Sequence, residues 1–249
     1  MKNGTNAATI EAHDELLDPM AFAMKHSSGR RRNRFTRKVF LAFWWLNIRV
    51  QRALKRCIDF LGAAVGLLLL SPLLIIVAIC IKLDSRGPVF YSQIRVGERG
   101  KTFRMYKFRS MRTDADEVRA ELEAANESAD GVIFKMKEDP RVTRLGRFIR
   151  RFSIDELPQL YNILRGDMAI VGPRPALPSE VAQYDIQARK RLQTKPGLTC
   201  IWQVSGRSNL SFSQQIDLDI EYLSSKSTKK DIELIAKTIP AVIDSDGAY

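Results

Sequence analysis

One stretch of the chain breaks the ordinary mixture of apolar and polar positions: Phe60 to Ile81 runs 22 residues without a formal charge. As a straight helix it would extend about 33 Å, close to the thickness of a bilayer core. Ser71 and Pro72 fall in its middle, and a proline there removes an N–H, clashes with the preceding turn and bends a helix. The pattern therefore allows a simple span, a kinked span or a re-entrant hairpin. Arg49, Arg52, Lys55 and Arg56 precede the segment and Lys82 and Arg86 follow it. Basic residues at both ends favour the hairpin, with both flanks cytoplasmic. Val39 to Ile48, with Trp44 and Trp45, is apolar but too short to cross and reads as an interfacial segment. Residues 1 to about 30 are polar and without periodicity, which predicts a flexible tail, and the late start of the apolar run disfavours a cleavable signal peptide.

Beyond Asp84 the pattern becomes that of a soluble domain. Pro88 to Gln93 and Thr102 to Arg109 are strand candidates joined by a glycine turn. Helical patterns cover Thr113 to Asn126, Asp155 to Arg165, Ser179 to Leu192, Phe212 to Leu223 and Lys230 to Ile243. Arg141, Arg144, Arg147 and Arg150 recur every third residue, as an arginine stripe on one further helix would, and such a stripe is commonly a solvated face. No internal repeat is visible. The expected fold class is α+β, predominantly helical with a small sheet, together with the re-entrant membrane helix hairpin and interfacial amphipathic helices. The expected organisation is 1–38 as a flexible, basic-ended tail, 39–84 as interfacial segment and hairpin, and 85–249 as a cytoplasmic catalytic domain.

Charge sharpens this picture. The net charge of +12 is uneven: Lys25 to Arg56 carries eleven basic residues and no acidic one. Basic clusters beside an apolar span suit anionic lipid headgroups, so a membrane surface is the expected partner and nucleic acid is not. Both histidines, His13 and His26, lie in the tail. The body therefore lacks the imidazole that Ser-His-Asp, Cys-His and histidine-ligated zinc chemistries require. Cys57, Cys80 and Cys200 have no ligand-like spacing.

Without histidine, adjacent carboxylates are the candidates for nucleophilic work, and Asp155-Glu156 stand in Phe-Ser-Ile-Asp-Glu-Leu-Pro-Gln-Leu. Two readings compete at this point. Ser153 and Glu156 have capping-box spacing, and Asp155 itself could cap a helix whose first turn holds Pro158. Alternatively the pair, with Arg150 and Arg151 just upstream, gathers a divalent cation and a phosphorylated substrate, since aspartate can attack phosphorus. Arg174, held between Pro173 and Pro175, and Arg207, after Gly206, sit in rigid turns suited to phosphate.

An ordered series of motifs runs through the body: Lys55-Arg56-x-x-Asp59, Ser71-Pro72, Gly87-Pro88-Val89-Phe90, Tyr106-Lys107-Phe108-Arg109-Ser110-Met111, Asp155-Glu156-Leu157-Pro158-Gln159, Gly166-Asp167-Met168, Val171-Gly172-Pro173-Arg174-Pro175, Lys195-Pro196-Gly197-Leu198-Thr199 and Trp202-Gln203-Val204-Ser205-Gly206-Arg207. In this order they resemble the bacterial initiating sugar transferases, the monotopic polyprenyl-phosphate phosphoglycosyl transferases, over about residues 50 to 245. The resemblance implies an enzyme of the bacterial inner membrane, on its cytoplasmic face, that moves a sugar-1-phosphate from a UDP-sugar to undecaprenyl phosphate. UMP is released and exopolysaccharide, capsule or O-antigen synthesis begins. By position, Asp155 is the implied nucleophile and forms a phosphoryl-aspartate. Glu156 is its support, with Mg2+ as the implied cofactor held by Asp155 and Glu156. Arg150, Arg174, Arg207, Lys107 and Arg109 are the implied substrate-binding residues, and Ser71-Pro72 the implied hairpin break. The sugar (galactose, glucose or an N-acetylhexosamine) and any homo-oligomer are left open. The competing class is a membrane-anchored, non-enzymatic lipid-binding or scaffold protein.

Overall fold

The computed structural model describes residues 34–115, 117, 118, 136 and 138–244. The expected tail falls almost wholly outside them, and so does most of the expected helix from Thr113 to Asn126.

Helix α1, Arg34–Asp84, is long and apolar enough to cross a membrane. Among the described residues, those from 34 to 53 belong to one compact unit and those from 54 to 244 to another. Within the first, Phe40, Phe43, Trp45 and Leu46 are exposed, and Trp44 meets Trp45 edge to face at 5.5 Å.

The helical ladder of α1 continues through Ser71-Pro72, so the expected break does not divide it into two separate helices. The local chemistry explains how. Pro72 has no N–H for the carbonyl of Leu68, and the Ser71 hydroxyl donates to that carbonyl instead, at 2.8 Å. A hydroxyl that replaces a missing backbone donor is the form in which proline is tolerated inside apolar helices. Polar groups near the start of this part of α1 tie it to three other elements. Arg56 donates to the carbonyls of Ile163 and Leu164, Asp59 accepts from the N–H of Ile170 at 3.0 Å, and Lys55 pairs with Asp231 at 2.6 Å.

Strands β1 (Phe90–Val96) and β2 (Thr102–Phe108) pair antiparallel, with Phe90 opposite Phe108 and Val96 opposite Thr102. Both expected strands form, the first shifted forward. Helix α2 (Arg144–Arg151) is shorter than the arginine stripe suggested, because Thr143 caps it through the N–H of Gly146. Arg141 therefore lies outside the helix, buried in the preceding turn, where its guanidinium grips both oxygens of Asp139 at 2.9 and 2.6 Å. Only Arg144, Arg147 and Arg151 form an exposed basic face.

Asp155 to Arg165 is not one helix. A 3-10 turn, Ile154–Glu156, precedes helix α3 (Gln159–Arg165), which ends at Gly166 in the left-handed region with φ 90°. Strands β3 (Ala169–Val171) and β4 (Gly197–Thr199) then pair in parallel, a second sheet the sequence pattern did not reveal. Just past β3, Gly172 passes so close to the Lys195–Gly197 backbone that a Cβ on Gly172 would collide with the Lys195 carbonyl and one on Gly197 with the Gly172 backbone. The expected helix from Ser179 to Leu192 is interrupted. Helices α4 (Pro178–Ala182) and α5 (Ile186–Arg189) are separated where Asp185 turns to cap the N–H of Ala188. Helices α6 (Phe212–Ser225) and α7 (Thr228–Asp244) match expectation, α6 opening with a Ser211–Gln214 capping box.

Candidate active site

The turn carrying Asp155 is set by its neighbours. Ser153 adopts the left-handed region (φ 52°) after α2, reversing the chain so that Ile154–Glu156 coil tightly before Pro158 opens α3. Neither helix-capping expectation holds: the Ser153 side chain makes no cap hydrogen bond, and α3 begins at Pro158 without one. Capping therefore does not explain the carboxylates. Asp155 is 6% exposed.

Lys107 projects from β2 between the two acids. Its Nζ lies 2.7 Å from Glu156 Oε1 and 3.7 Å from Asp155 Oδ2. This residue, placed by sequence among the substrate-binding set, is the cation of the dyad itself. Burial pushes the Asp155 carboxyl above the usual aspartate range, against the pull of Lys107. Burial also opposes ionisation of Glu156, but Lys107 and Arg174 together hold its carboxyl below the usual range. Neighbouring acids whose environments separate them in this way take different roles: Glu156 stays charged and paired, and Asp155 becomes the more basic carboxylate.

Two cavities meet at this point. The larger, about 460 Å3, is walled on one side by the β1 residues Tyr91, Gln93 and Arg95. The smaller, about 260 Å3, reaches Arg207 and the α7 residues Thr238, Ala241 and Val242. Lys107, Arg150, Asp155, Arg174 and Trp202 belong to both. Arg150 comes from the last turn of α2, and Arg174 stands exposed between buried Pro173 and Pro175, with its guanidinium 6.0 Å from the centre of the Trp202 ring. Arg207 holds φ 50° in a 3-10 turn after Gly206. Sequence had placed Asp155, Glu156, Arg150, Arg174 and Arg207 as candidates, and the fold gathers them around one junction.

Arg109 is placed differently. It walls the larger cavity, but its guanidinium donates to the carbonyls of Ser85 and Arg86 and to the Ser85 hydroxyl, at 2.7 to 2.9 Å. It fastens the segment leaving α1 onto the end of β2. Ser71 and Pro72, within α1, are absent from the lining of both cavities.

Sequence reasoning missed a buried support beneath Arg174. Arg191 pairs with Asp219 at 2.6 Å and donates to the Tyr184 hydroxyl at 2.9 Å and to the Arg174 carbonyl at 3.2 Å. It lies in the interrupted part of the expected helix, and nothing local signals its burial. Arg95 was also missed. Its signal was present: β1 turns Tyr91, Gln93 and Arg95 inward while Phe90 and Ile94 face solvent, inverting the usual polarity of a half-buried strand.

For a divalent cation, no group of three or more His, Cys, Asp and Glu side chains assembles among the described residues. The donor set at the dyad is two adjacent carboxylates. That suits Mg2+, which is commonly held by one or two carboxylates with the remaining positions filled by water and substrate phosphate.

Residues 50–245 match the family model described as bacterial sugar transferase. The chain belongs to that family. Every residue of this transferase site, from Lys107 to Arg207, lies inside the matched region. The transferase is 44% identical over 195 residues to the galactosyl transferase CpsE of Streptococcus agalactiae serotype III, covering 78% of this chain and 43% of the relative. It is 42% identical over 198 residues to the exopolysaccharide production protein ExoY of Rhizobium meliloti, covering 78% of this chain and 88% of ExoY. It is also 42% identical over 204 residues to the undecaprenyl-phosphate galactose phosphotransferase of Salmonella typhimurium, covering 81% of this chain and 43% of that protein. The chain thus spans less than half the length of CpsE and of the Salmonella protein, and most of ExoY.

Proposed function

We propose that this sugar transferase moves a sugar-1-phosphate from a UDP-sugar to undecaprenyl phosphate through a phosphoryl-aspartate on Asp155. The observation that carries the reading is the buried Asp155-Glu156 pair bridged by Lys107 where two arginine-bearing cavities meet. Phosphoryl transfer needs positive charge around the migrating group and a positioned attacker, and this site supplies both without histidine. An Asp155 oxygen attacks the sugar-proximal phosphorus as the bond to the UMP oxygen breaks. A lipid phosphate oxygen then attacks the same phosphorus and Asp155 leaves. Arg150, Arg174 and Arg207 balance the phosphate charge, and Glu156 keeps Lys107 in place beside Asp155. Mg2+, held by Asp155 and Glu156, would neutralise phosphate charge when bound.

Both displacements run in line at one phosphorus, so UMP leaves from the side on which the lipid phosphate arrives. The enzyme therefore exchanges labelled UMP into UDP-sugar without lipid. The test incubates detergent-purified protein with UDP-galactose, UDP-glucose and UDP-N-acetylhexosamines, with and without undecaprenyl phosphate, and follows UMP release and UMP exchange. No release across the panel overturns the function and leaves a membrane-anchored scaffold. Release without exchange overturns the covalent intermediate.

The same proposal places α1 as a re-entrant element on the cytoplasmic face of the inner membrane, bent at Pro72. Ala63 shares a core with Met105, and Ile81 shares one with Phe108, three residues further along β2. A straight helix holds Ala63 and Ile81 about 27 Å apart, whereas three strand residues cover about 10 Å, which favours a bend between them. Helix α7 exposes Ile232, Ile239 and Ile243 beside Lys229, Lys230 and Lys237, a composition suited to the interface.

A further inference from the structure

Strand β1 is the part of the site that the motif series leaves without a role. Its inward row is polar, and Arg95, at the end of that row, is 8% exposed in the wall of the larger cavity. Its guanidinium donates to the Pro175 carbonyl at 3.1 Å and to Gln93 Oε1 at 2.7 Å, both neutral acceptors. Its Nε–H is buried and without a partner. Among the described residues Arg95 forms no ion pair; Glu180 and Glu156 act on it only through longer-range charge. Burial and the neighbouring Arg174 together draw its pKa down to about 10, which still leaves it charged at neutral pH. A buried guanidinium with a partnerless N–H and no directly paired carboxylate is costly, and a phosphate oxygen in the cavity would meet both needs.

We infer that Arg95 is an anion-binding residue of the larger cavity, its free Nε–H and its charge reserved for a phosphate oxygen of the donor nucleoside diphosphate. This rests on the transferase reading above. Both substrates carry phosphate, and two features favour the nucleotide. Arg95 lines the larger cavity and not the smaller one. Tyr91 supplies aromatic surface for a base in that cavity and is absent from the lining of the smaller one. The Pro175 contact gives Arg95 a second effect, since it braces the carbonyl next to Arg174.

The experiment follows thermal unfolding of the detergent-purified protein with UDP, uridine or farnesyl phosphate, comparing the unmutated chain with Arg95→Met and Arg95→Lys. Arg95→Met is expected to weaken UDP binding by about tenfold or more, the loss of a charge-assisted hydrogen bond. Uridine and farnesyl phosphate should bind it unchanged, and its ligand-free midpoint should change little, because removal of a desolvated charge offsets the loss of two hydrogen bonds to neutral acceptors. Arg95→Lys, which keeps the charge, should recover part of the UDP affinity. A Met variant with unaltered UDP affinity in a background that releases UMP overturns the role of Arg95 and leaves the transferase reading standing. Equal loss of uridine and UDP binding with a lowered ligand-free midpoint shows that Arg95 only braces Pro175, and overturns the proposal. Loss confined to farnesyl phosphate overturns the choice of nucleotide. An unmutated protein that neither releases UMP nor responds to UDP overturns both readings.

Discussion

Removing the Lys107 ammonium while keeping its apolar stem, as Lys107→Met does, tests the electrostatics of the dyad directly. The 2.7 Å contact with Glu156 is a charge-assisted hydrogen bond between side chains about one-fifth exposed. Such a bond contributes about 1.5 to 3 kcal/mol. The 3.7 Å contact with Asp155 is too long for a hydrogen bond and acts through charge alone. For unit charges at that separation the attraction is at most about 4.5 kcal/mol at an effective dielectric of about 20, and partial exposure reduces it. Taking only the hydrogen-bond term, kcat/KM for UMP release should fall by about 10- to 150-fold. The pH profile carries the sharper signature. Burial already raises the Asp155 carboxyl and Lys107 opposes that rise. Without Lys107 the carboxyl rises further, the attacking anion is lost sooner on acidification, and the acid limb of kcat/KM moves to higher pH. Lys107→Arg, which keeps the charge, should move the limb little. The assay is initial-rate UMP release from about pH 5 to about pH 9, with unfolding midpoints confirming that each variant is folded. A folded Met variant whose acid limb stays in place, or moves to lower pH, would refute the coupling between Lys107 and Asp155.

Asp155→Asn should abolish both UMP release and UMP exchange with an unfolding midpoint close to the unmutated value, because no capping bond is lost; substantial residual release would remove Asp155 as nucleophile. Arg141→Ala should destabilise the fold by about 3 to 5 kcal/mol in denaturant titration, as it strands Asp139 in a buried pair, and a change below about 1 kcal/mol would return Arg141 to a solvated role. Asp219→Ala should cost a similar amount, about 3 to 5 kcal/mol. It should also raise KM for the UDP-sugar, since Arg191 then loses its anchor while holding the Arg174 carbonyl; an unchanged KM would separate the support from the site. If α1 re-enters as proposed, replacing Ser71-Pro72 with Ala-Leu should move one flank across the membrane, read by labelling cysteines introduced at Arg30 and Phe90; opposite-side labelling of the unmutated protein would refute the re-entrant topology, and same-side labelling in the variant would show that the pair does not cause it.

Sequence alone determined what depends on neighbours within a few residues. The alternating residues and glycine turn of β1 and β2 and the amphipathic patterns of α6 and α7 are local, and the structure forms them nearly where expected, whereas the interfacial and apolar segments expected separately lie in the one continuous helix α1. The Asp155-Glu156 pair and the arginines in rigid turns were legible because each sits in a short motif. Tertiary structure decided everything that spans distance. Lys107 and Glu156 lie 49 positions apart, and only the packing of β2 against the turn after α2 makes one the counter-charge of the other. That packing also sets aside the capping reading of Asp155, since neither Ser153 nor the start of α3 carries a side-chain cap. Three-residue strands such as β3 and β4 are too short to show a period, and their parallel pairing rests on the close approach of Gly172 and Gly197. The arginines show the same division. Arg141, Arg109 and Arg95 look alike in sequence, but burial gives the first a carboxylate, the second a set of backbone carbonyls and the third a cavity. A side chain's charge is written locally, whereas its desolvation and its partner are set by whatever the fold brings to it.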